Sequence, residues 1–320
     1  MANGVLVGDV GGTHARFAMA RRQDGKFAIE RFARLEGDEF ATFDDALSSY
    51  LLDSGVQPDA ACIAIAGPVR NGQGQLTNRD WAVSETALGD RFGISRALVV
   101  NDFLAMARSV PELEPDAFEP VFNGAPVAGA PILVAGPGTG FGVATLWQDG
   151  DRWSVLSGEG GHMAYAPRTA QERQLAALLQ RDHGYVSNEL VASGSGLDAV
   201  HAAFCEMYGA DCPALSPQEM RDKADSGDPM YRALIEMRAL AVMGAVGDLA
   251  LANGALGGVV LAGGVTERIA DFLNTSAARE RFVSRGPMSG YLADCPVRLL
   301  KAPAAALIGA AAHFAQVRGL

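Results

Sequence analysis

The chain has little of what marks a secreted, membrane-bound or nucleic-acid-binding protein. Its 320 residues include only four cysteines, Cys62, Cys205, Cys212 and Cys295. These are too few and too scattered for a disulfide framework, so buried or idle thiols in a reducing compartment are expected, and with them a cytoplasmic location. Positive charge is also short: the formal net charge is −11. That balance opposes non-specific attachment to nucleic acid or to an anionic membrane, so neither is expected as a partner. No secretory leader opens the chain, because Asp9 interrupts the first apolar run almost at once. The most membrane-like stretch, 249–265, is broken by Asn253 and five glycines. It reads as a helix end, a turn and a buried strand rather than a span. No G-x-x-x-x-G-K-[ST] loop occurs, which excludes a P-loop nucleotidase.

What the chain has in abundance is glycine, 38 in all, and 49% hydrophobic residues. Several of the glycines cluster at the ends of apolar runs. The first such place is "VLVGDVGGTHAR", Val5 to Arg16, preceded by Gly4. Glycines so closely spaced let a backbone approach a ligand, and the usual ligand is a phosphate. A dinucleotide fold would need this loop to lead directly into a long helix and to read G-x-G-x-x-G. Here "ARFAMA" follows and Asp24-Gly25 then makes a turn, so the spacing predicts strand, glycine turn, strand. "PILVAGPGTGFGVATLW", Pro131 to Trp147, repeats the device, and "GGVVLAGGV", 257–265, supplies a third glycine loop after a strand. Two glycine hairpins imply two related α/β halves, each presenting a loop to a common cleft.

Between the hairpins, 59–69 reads as a buried strand ended by Gly67-Pro68. "RALVVNDF" reads as a strand whose end carries Asn101 and Asp102. The proline- and acid-rich 110–120 looks like a domain connection. Beyond the second hairpin the pattern turns helical, with Gly254 placed where a C-cap belongs. A strand near 297–300 and a helix from Pro303 close the chain.

These residues resemble a known family. "GDVGGTHAR" matches the D-x-G-G-T-x-x-R phosphate signature of sugar kinases with the actin/hexokinase/Hsp70 architecture. "NDF", "GPGTGFG", "GEGGH" and "LAGG" follow in that family's order over nearly the whole chain, and the match is close to the bacterial ATP-dependent glucokinases. The repressor/kinase group of sugar kinases shares the first motif but carries a cysteine-rich zinc loop. No cysteine lies between His162 and Cys205, and Cys205 and Cys212 lack that spacing, so no structural zinc is expected. No helix-turn-helix precedes the first strand, so a repressor is not expected either.

The resemblance implies an α/β protein with two domains of the actin/hexokinase (ribonuclease H-like) type around a central cleft. The small domain would comprise 1–112 plus 302–320, and the large one 113–301. It further implies transfer of the γ-phosphate of Mg-ATP to the 6-hydroxyl of glucose by a homodimer. Alternatives are a kinase for another hexose or amino sugar, or a non-catalytic sugar or nucleotide sensor on the same fold.

In that reading Gly8, Asp9, Val10, Gly11, Gly12 and Thr13 form the first phosphate loop, with Asp9 near Mg2+ through water. Gly136, Gly138, Thr139 and Gly140 form the second, and Gly263 and Gly264 line the adenosine. His14 departs from the family's usual asparagine. Asp102 would be the base that accepts the proton of the sugar hydroxyl, with Asn101 holding neighbouring hydroxyls. Asn101-Asp102 is equally a good helix N-cap pair. Glu159, His162 and Glu189 resemble the sugar clamp, and Asn78 joins it as a weaker candidate. The i, i+3 spacing of Glu159 and His162 also matches a helical di-iron motif, but Gly160 and Gly161 disfavour helix. A Ser-His-Asp hydrolase lacks support because "SGSG" does not fit G-x-S-x-G.

Overall fold

The computed structural model describes residues 4–76 and 79–320. Of the candidate site residues, Asn78 lies outside the described residues. The chain divides into two compact units. The first comprises Met1–Ala117, Leu146–Ser157 and Lys301–Leu320; the second comprises Phe118–Thr145 and Gly158–Leu300.

The first unit opens with β1 (Val5–Val10), β2 (His14–Gln23) and β3 (Lys26–Glu36). Asp24 and Gly25, at φ of 50° and 84°, make the two-residue turn between β2 and β3. Two successive positive φ values suit the right-handed twist of a hairpin. β4 (Ala60–Ile65) follows, then the short β5 (Val69–Arg70), β6 (Gln73–Gln75) and β7 (Ala82–Ser84), then β8 (Arg96–Asn101). The main sheet has the order β3-β2-β1-β4-β8, antiparallel on one side of β1 and parallel on the other.

Alternation along β1 divides its side chains between two cores. Leu6 and Val10 join Phe17, Phe43, Tyr50 and Trp81 on one face. Val5 and Val7 join Ala105, Leu307, Ala310 and Phe314 on the other. The second face is covered by helices Asp102–Ser109 and Ala305–Arg318. They pack so closely that a Cβ on Gly309 would lie 1.7 Å from the carbonyl oxygen of Ala105. The parallel register aligns Val10, Ile65 and Asn101 at the carboxyl ends of β1, β4 and β8. Carboxyl ends of parallel strands are where α/β sheets build their sites.

The second unit contains β9 (Phe118–Phe122), β10 (Ile132–Pro137), the start of β11 (Phe141–Asp149), β13 (Gly258–Leu261) and β14 (Val297–Leu300), with β12 (Arg152–Gly158) completing the hairpin after β11. The sheet order is β12-β11-β10-β13-β14-β9. Counted from β10, this is the order of the first sheet with β9 added. Ala135, Leu261 and Leu299 stand in register on parallel β10, β13 and β14.

The core of this unit is built around the 25-residue helix Pro229–Asn253, capped by Asp228 and closed by Gly254 at φ 63°. It is buried on nearly all sides, as expected of a helix apolar around its circumference. Among the described residues no helix is long and apolar enough to cross a membrane.

The outer part of the β11–β12 hairpin, Leu146–Ser157, groups with the first unit, whereas the sequence reading put it in the large domain. Gln316 of the C-terminal helix holds it, accepting from Trp153 N at 3.1 Å and donating to Trp153 O at 2.8 Å. Nothing in a continuous hairpin pattern marks that change of core.

Candidate active site

The first glycine loop joins β1 to β2. Asp9 and Arg16 face each other across the two strands, and Arg16 Nη1 donates to Asp9 Oδ2 at 2.7 Å. The acid and the arginine of the D-x-G-G-T-x-x-R signature are therefore one ion pair. Gly11 N donates to His14 O at 2.9 Å, closing the turn. A Cβ on Gly11 would meet only His14 O, at 3.8 Å, so the loop is not crowded there by protein. Gly8 is different: a Cβ would meet Ile63 at 2.9 Å and Phe17 at 3.2 Å, so its glycine serves sheet packing.

His14 does not stand alone. Its Nε2 lies 3.0 Å from Glu36 Oε2, its cross-strand neighbour, and contacts the Arg34 guanidinium. The imidazole is thus tied to the β3 side of the hairpin.

At the end of β8, Asn101 is the helix cap. Its Oδ1 accepts from Phe103 N at 3.0 Å and Leu104 N at 3.2 Å, and its Nδ2 donates to Gly67 O at 3.1 Å. Asp102 is the first helical residue, with Oδ1 2.9 Å from Phe103 N. Sequence reading left cap and catalyst as rival roles for the Asn101-Asp102 pair. The structure gives the capping to Asn101.

In the second unit, the loops after β10 and β13 interlock. A Cβ on Gly136 would lie 2.1 Å from Ala262 O, and one on Gly263, at φ 102°, would lie 2.5 Å from Pro137 O. Both glycines are required by backbone-to-backbone contact. Around Gly138 and Gly264, by contrast, a Cβ would meet nothing within 4 Å. Gly194 N and Ser195 N donate to Gly138 O and Thr139 O, both at 2.9 Å, and so fix the loop that carries Thr139.

Glu189 connects this loop to the clamp residues. Its Oε2 accepts from Phe141 N at 2.7 Å, and its Oε1 lies 3.9 Å from His162 Nε2. A Cβ on Gly140 would sit 2.8 Å from the same carboxylate, so glycine there makes room for Glu189. Glu159 and His162 bracket a 3-10 turn, with His162 N donating to Glu159 O at 3.0 Å. The segment is a single 3-10 turn rather than an α-helix, so the α-helical di-iron motif does not arise. Gly161 fits beneath Phe141, where a Cβ would lie 2.3 Å from a carbonyl oxygen. Both Glu159 and His162 present exposed side chains.

Beside the loops lies a largely apolar cavity of about 240 Å³, lined by Gly194, Leu197, Leu234, Ile235, Val265 and Ile269, with Arg238 and Arg268 on its wall. Gly194 and Val265 place it next to the Gly138 and Gly264 backbones. Arg238 is buried and donates through Nη2 to Ala192 O at 3.0 Å and Ser193 O at 2.7 Å. Burial pulls its guanidinium down to about 10, still well above neutrality, so it stays charged.

The family model for glucokinase matches residues 6–317. A curated glucokinase from Chromobacterium violaceum is 39% identical over 312 residues, covering 97% of this chain and 89% of that protein. The crystal structure of a glucokinase from an Antarctic psychrotroph superposes with a TM-score of 0.85 at 34% identity, covering 99% and 100% of the two chains. The chain belongs to the glucokinase family. It is a sugar kinase, and the mixed α/β, actin/hexokinase-type fold is that of its relatives. A more distant neighbour, a repressor/kinase-group glucokinase from Streptomyces griseus solved with glucose and AMPPNP, shares the fold at 17% identity and a TM-score of 0.66, with 97% and 98% coverage.

Two residues of this glucokinase-family chain escaped sequence reading because both act on backbone. Arg79 donates through Nε to Gly12 O at 3.0 Å and through Nη1 to Gly37 O at 2.6 Å, and also pairs with Asp38. It braces the first glycine loop from outside. Arg238 does the same for the turn after Glu189. The one signal for Arg79 in the sequence is its place in "LTNRDW", beside Asn78; its guanidinium stacks 5.0 Å from the Trp81 ring of that motif.

Proposed function

We propose that this kinase transfers the γ-phosphate of ATP to the 6-hydroxyl of glucose, giving glucose 6-phosphate and ADP as an ATP:glucose 6-phosphotransferase. The observation that carries the reading is the Glu189 carboxylate, shared between a glycine-loop amide and His162. Such a group suits a kinase because it ties sugar hydroxyls to the loop that holds the phosphoryl donor. Family membership supports glucose as the sugar.

Asp102 is the general base. It stands where β8 ends and the following helix begins, beside the cap residue Asn101, and the carboxyl ends of parallel strands are where α/β sheets build their sites. As the 6-hydroxyl oxygen bonds to the γ-phosphorus, its proton passes to the Asp102 carboxylate and the bond from γ-phosphorus to the β,γ-bridging oxygen breaks, releasing ADP. Asn101 keeps one N–H for a sugar hydroxyl. Glu159, His162 and Glu189 bind the remaining hydroxyls, and a missing hydroxyl would leave such a group unpaired. Asn78 is kept as a further contact.

The two loops, 11–13 and 138–140, face the phosphates through the amides of 12–13 and 139–140 and the Thr13 and Thr139 hydroxyls, while the Gly11 and Gly138 amides close the turns onto His14 O and Gly140 O. Gly8 and Val10 shape the strand end that carries the first loop. Gly136 and Gly263 hold the second and third loops together. Gly264 borders the adenosine, and the adjoining apolar cavity takes the base. Asp9 fits a hydrated magnesium ion: Arg16 donates to its Oδ2, and its other oxygen would accept from the ion's water. When bound, Mg2+ neutralises charge on the phosphate oxygens.

A cytoplasmic homodimer, with glucose and ATP as its small-molecule partners, completes the proposal. An ADP-coupled assay with Mg-ATP over a panel of hexoses and amino sugars tests it. Glucose should give the highest kcat/KM, by about 10-fold or more over epimers. Higher kcat/KM for another sugar, or sugar binding without turnover, would overturn the assignment.

A further inference from the structure

The helix Leu197–Tyr208 puts His201 and Cys205 one turn apart on a single buried face, 3% and 2% exposed. Neither belongs to the glycine loops or the clamp. The helix ends at Gly209, with φ 60°, and Ala210 N donates back to Cys205 O at 2.9 Å. This return brings exposed Cys212 to the same imidazole. Cys205 Sγ lies 3.4 Å from His201 Nε2, and Cys212 Sγ lies 3.9 Å from His201 Nδ1. One ligand atom from each of the three residues falls within 4.8 Å of the others. The Tyr231 hydroxyl stands 3.2 Å from His201 Nε2.

We propose that His201, Cys205 and Cys212 form a zinc site, with the Tyr231 hydroxyl or a water in the fourth position. Zinc takes thiolate sulfur at about 2.3 Å and imidazole nitrogen at about 2.0 Å, so a tetrahedral site sets sulfur and nitrogen about 3.5 Å apart. The Cys205–His201 pair already has that separation. Cys212 sits on an exposed turn, and its sulfur, 3.9 Å from Nδ1, would have to shift towards the Nε2 edge of the ring to share the ion. The donor set, two thiols and an imidazole, is soft enough to discriminate against Mg2+. Among the described residues, the hydrogen-bond partners of the buried imidazole are two weak thiols and the Tyr231 phenol. Binding forms two Zn–S bonds and one Zn–N bond, and releases two thiol protons to solvent.

The proposal departs from the sequence expectation that no structural zinc is present. The i, i+4 His-Cys pair was visible, but the return of the chain at Gly209 was not. The ion would pin the turn after the helix to the core of the second unit, and so stabilise the folded protein.

The test uses the full, untagged chain, reduced and stripped by a chelator. Zinc is titrated against a chromophoric chelator, and Co2+ is added separately for its spectrum. One zinc per chain is expected, together with a thiolate-to-cobalt charge-transfer band. Cys212→Ser, at an exposed position that leaves the core intact, should weaken zinc binding by about 100-fold and abolish the band. Cys205→Ser should do the same where it folds. Equal zinc affinity in wild type and Cys212→Ser overturns the proposal. So does reduced protein that binds no zinc while air oxidation closes Cys205 and Cys212 into a disulfide.

Discussion

Glu189 Oε2 accepts a 2.7 Å hydrogen bond from Phe141 N, while its other oxygen faces His162 Nε2 at 3.9 Å. One carboxylate therefore serves both the second glycine loop and the proposed sugar clamp. Glu189→Ala should raise the KM of both ATP and glucose, each by about 10-fold or more, since a charged hydrogen bond contributes about 1.5–3 kcal/mol. Glu189→Gln keeps an acceptor for Phe141 N, so its ATP KM should stay close to normal while its glucose KM rises. Glu159→Gln and His162→Ala should likewise raise only the glucose KM. Steady-state kinetics with each substrate varied in turn decides the matter; a glucose KM unchanged in all these variants would remove the three residues from sugar binding.

Asp102 and Asn101 can be separated. Asp102→Asn should lower kcat by roughly 10²- to 10⁴-fold, because an amide cannot take the proton. Its melting temperature should hold, since Asn101 caps the helix. Asn101→Ala should instead cost about 1 kcal/mol of stability through loss of the cap. Near-normal turnover in a well-folded Asp102→Asn enzyme would refute the catalytic role.

Arg79 offers a test of the first loop from behind. Removing its donors to Gly12 O and Gly37 O should loosen the loop and raise the ATP KM several-fold, with little effect on the glucose KM. Arg79→Met preserves the stacking volume against Trp81 and isolates the hydrogen bonds. His14→Asn, which breaks the contact with Glu36 across the hairpin, should have a smaller effect. A larger change in ATP KM for His14→Asn than for Arg79→Met would show that the imidazole, not the brace, governs the loop.

Stability should depend on pH through His313. Burial, and then the nearby Arg108 charge, push this imidazole down to about 4. Arg108 itself pairs with Glu112 at 2.7 Å. Below the ordinary histidine value of about 6.5 the unfolded chain takes up a proton that the native state does not. Stability is therefore fully present above about pH 6.5 and falls as the pH drops towards 4. Partial exposure tempers the effect to about 1–2 kcal/mol at pH 5. Urea midpoints at pH 7.5 and 5 should converge in His313→Gln; an unchanged pH slope would rule this group out as the source.

Much of the fold is legible in the chain. Short continuous apolar runs bounded by glycine mark β1, β10 and β13, and Gly254, in the αL conformation, marks the end of the long helix. The Asp24-Gly25 turn is equally plain. What could not be read are contacts whose partners are main-chain atoms far away in sequence. Arg79 reaches Gly12 across 67 residues and Arg238 reaches Ala192 across 46. No residue pattern encodes a carbonyl. The outer hairpin, 146–157, escaped for a related reason: it is held through Gln316, a residue without a motif.

The glycines of the second unit divide into two kinds, and the division sets where the enzyme can be altered. Gly136 is keyed against Ala262 O and Gly263 against Pro137 O, so any side chain at either one prises apart both loops. Gly138 and Gly264 face open space, and neither has a positive φ to constrain it. A library that seeks acceptance of another phosphoryl donor should therefore hold 136 and 263 fixed and randomise 138 and 264. Side chains introduced there would remodel the proposed phosphate and base pockets while leaving the scaffold beneath them undisturbed.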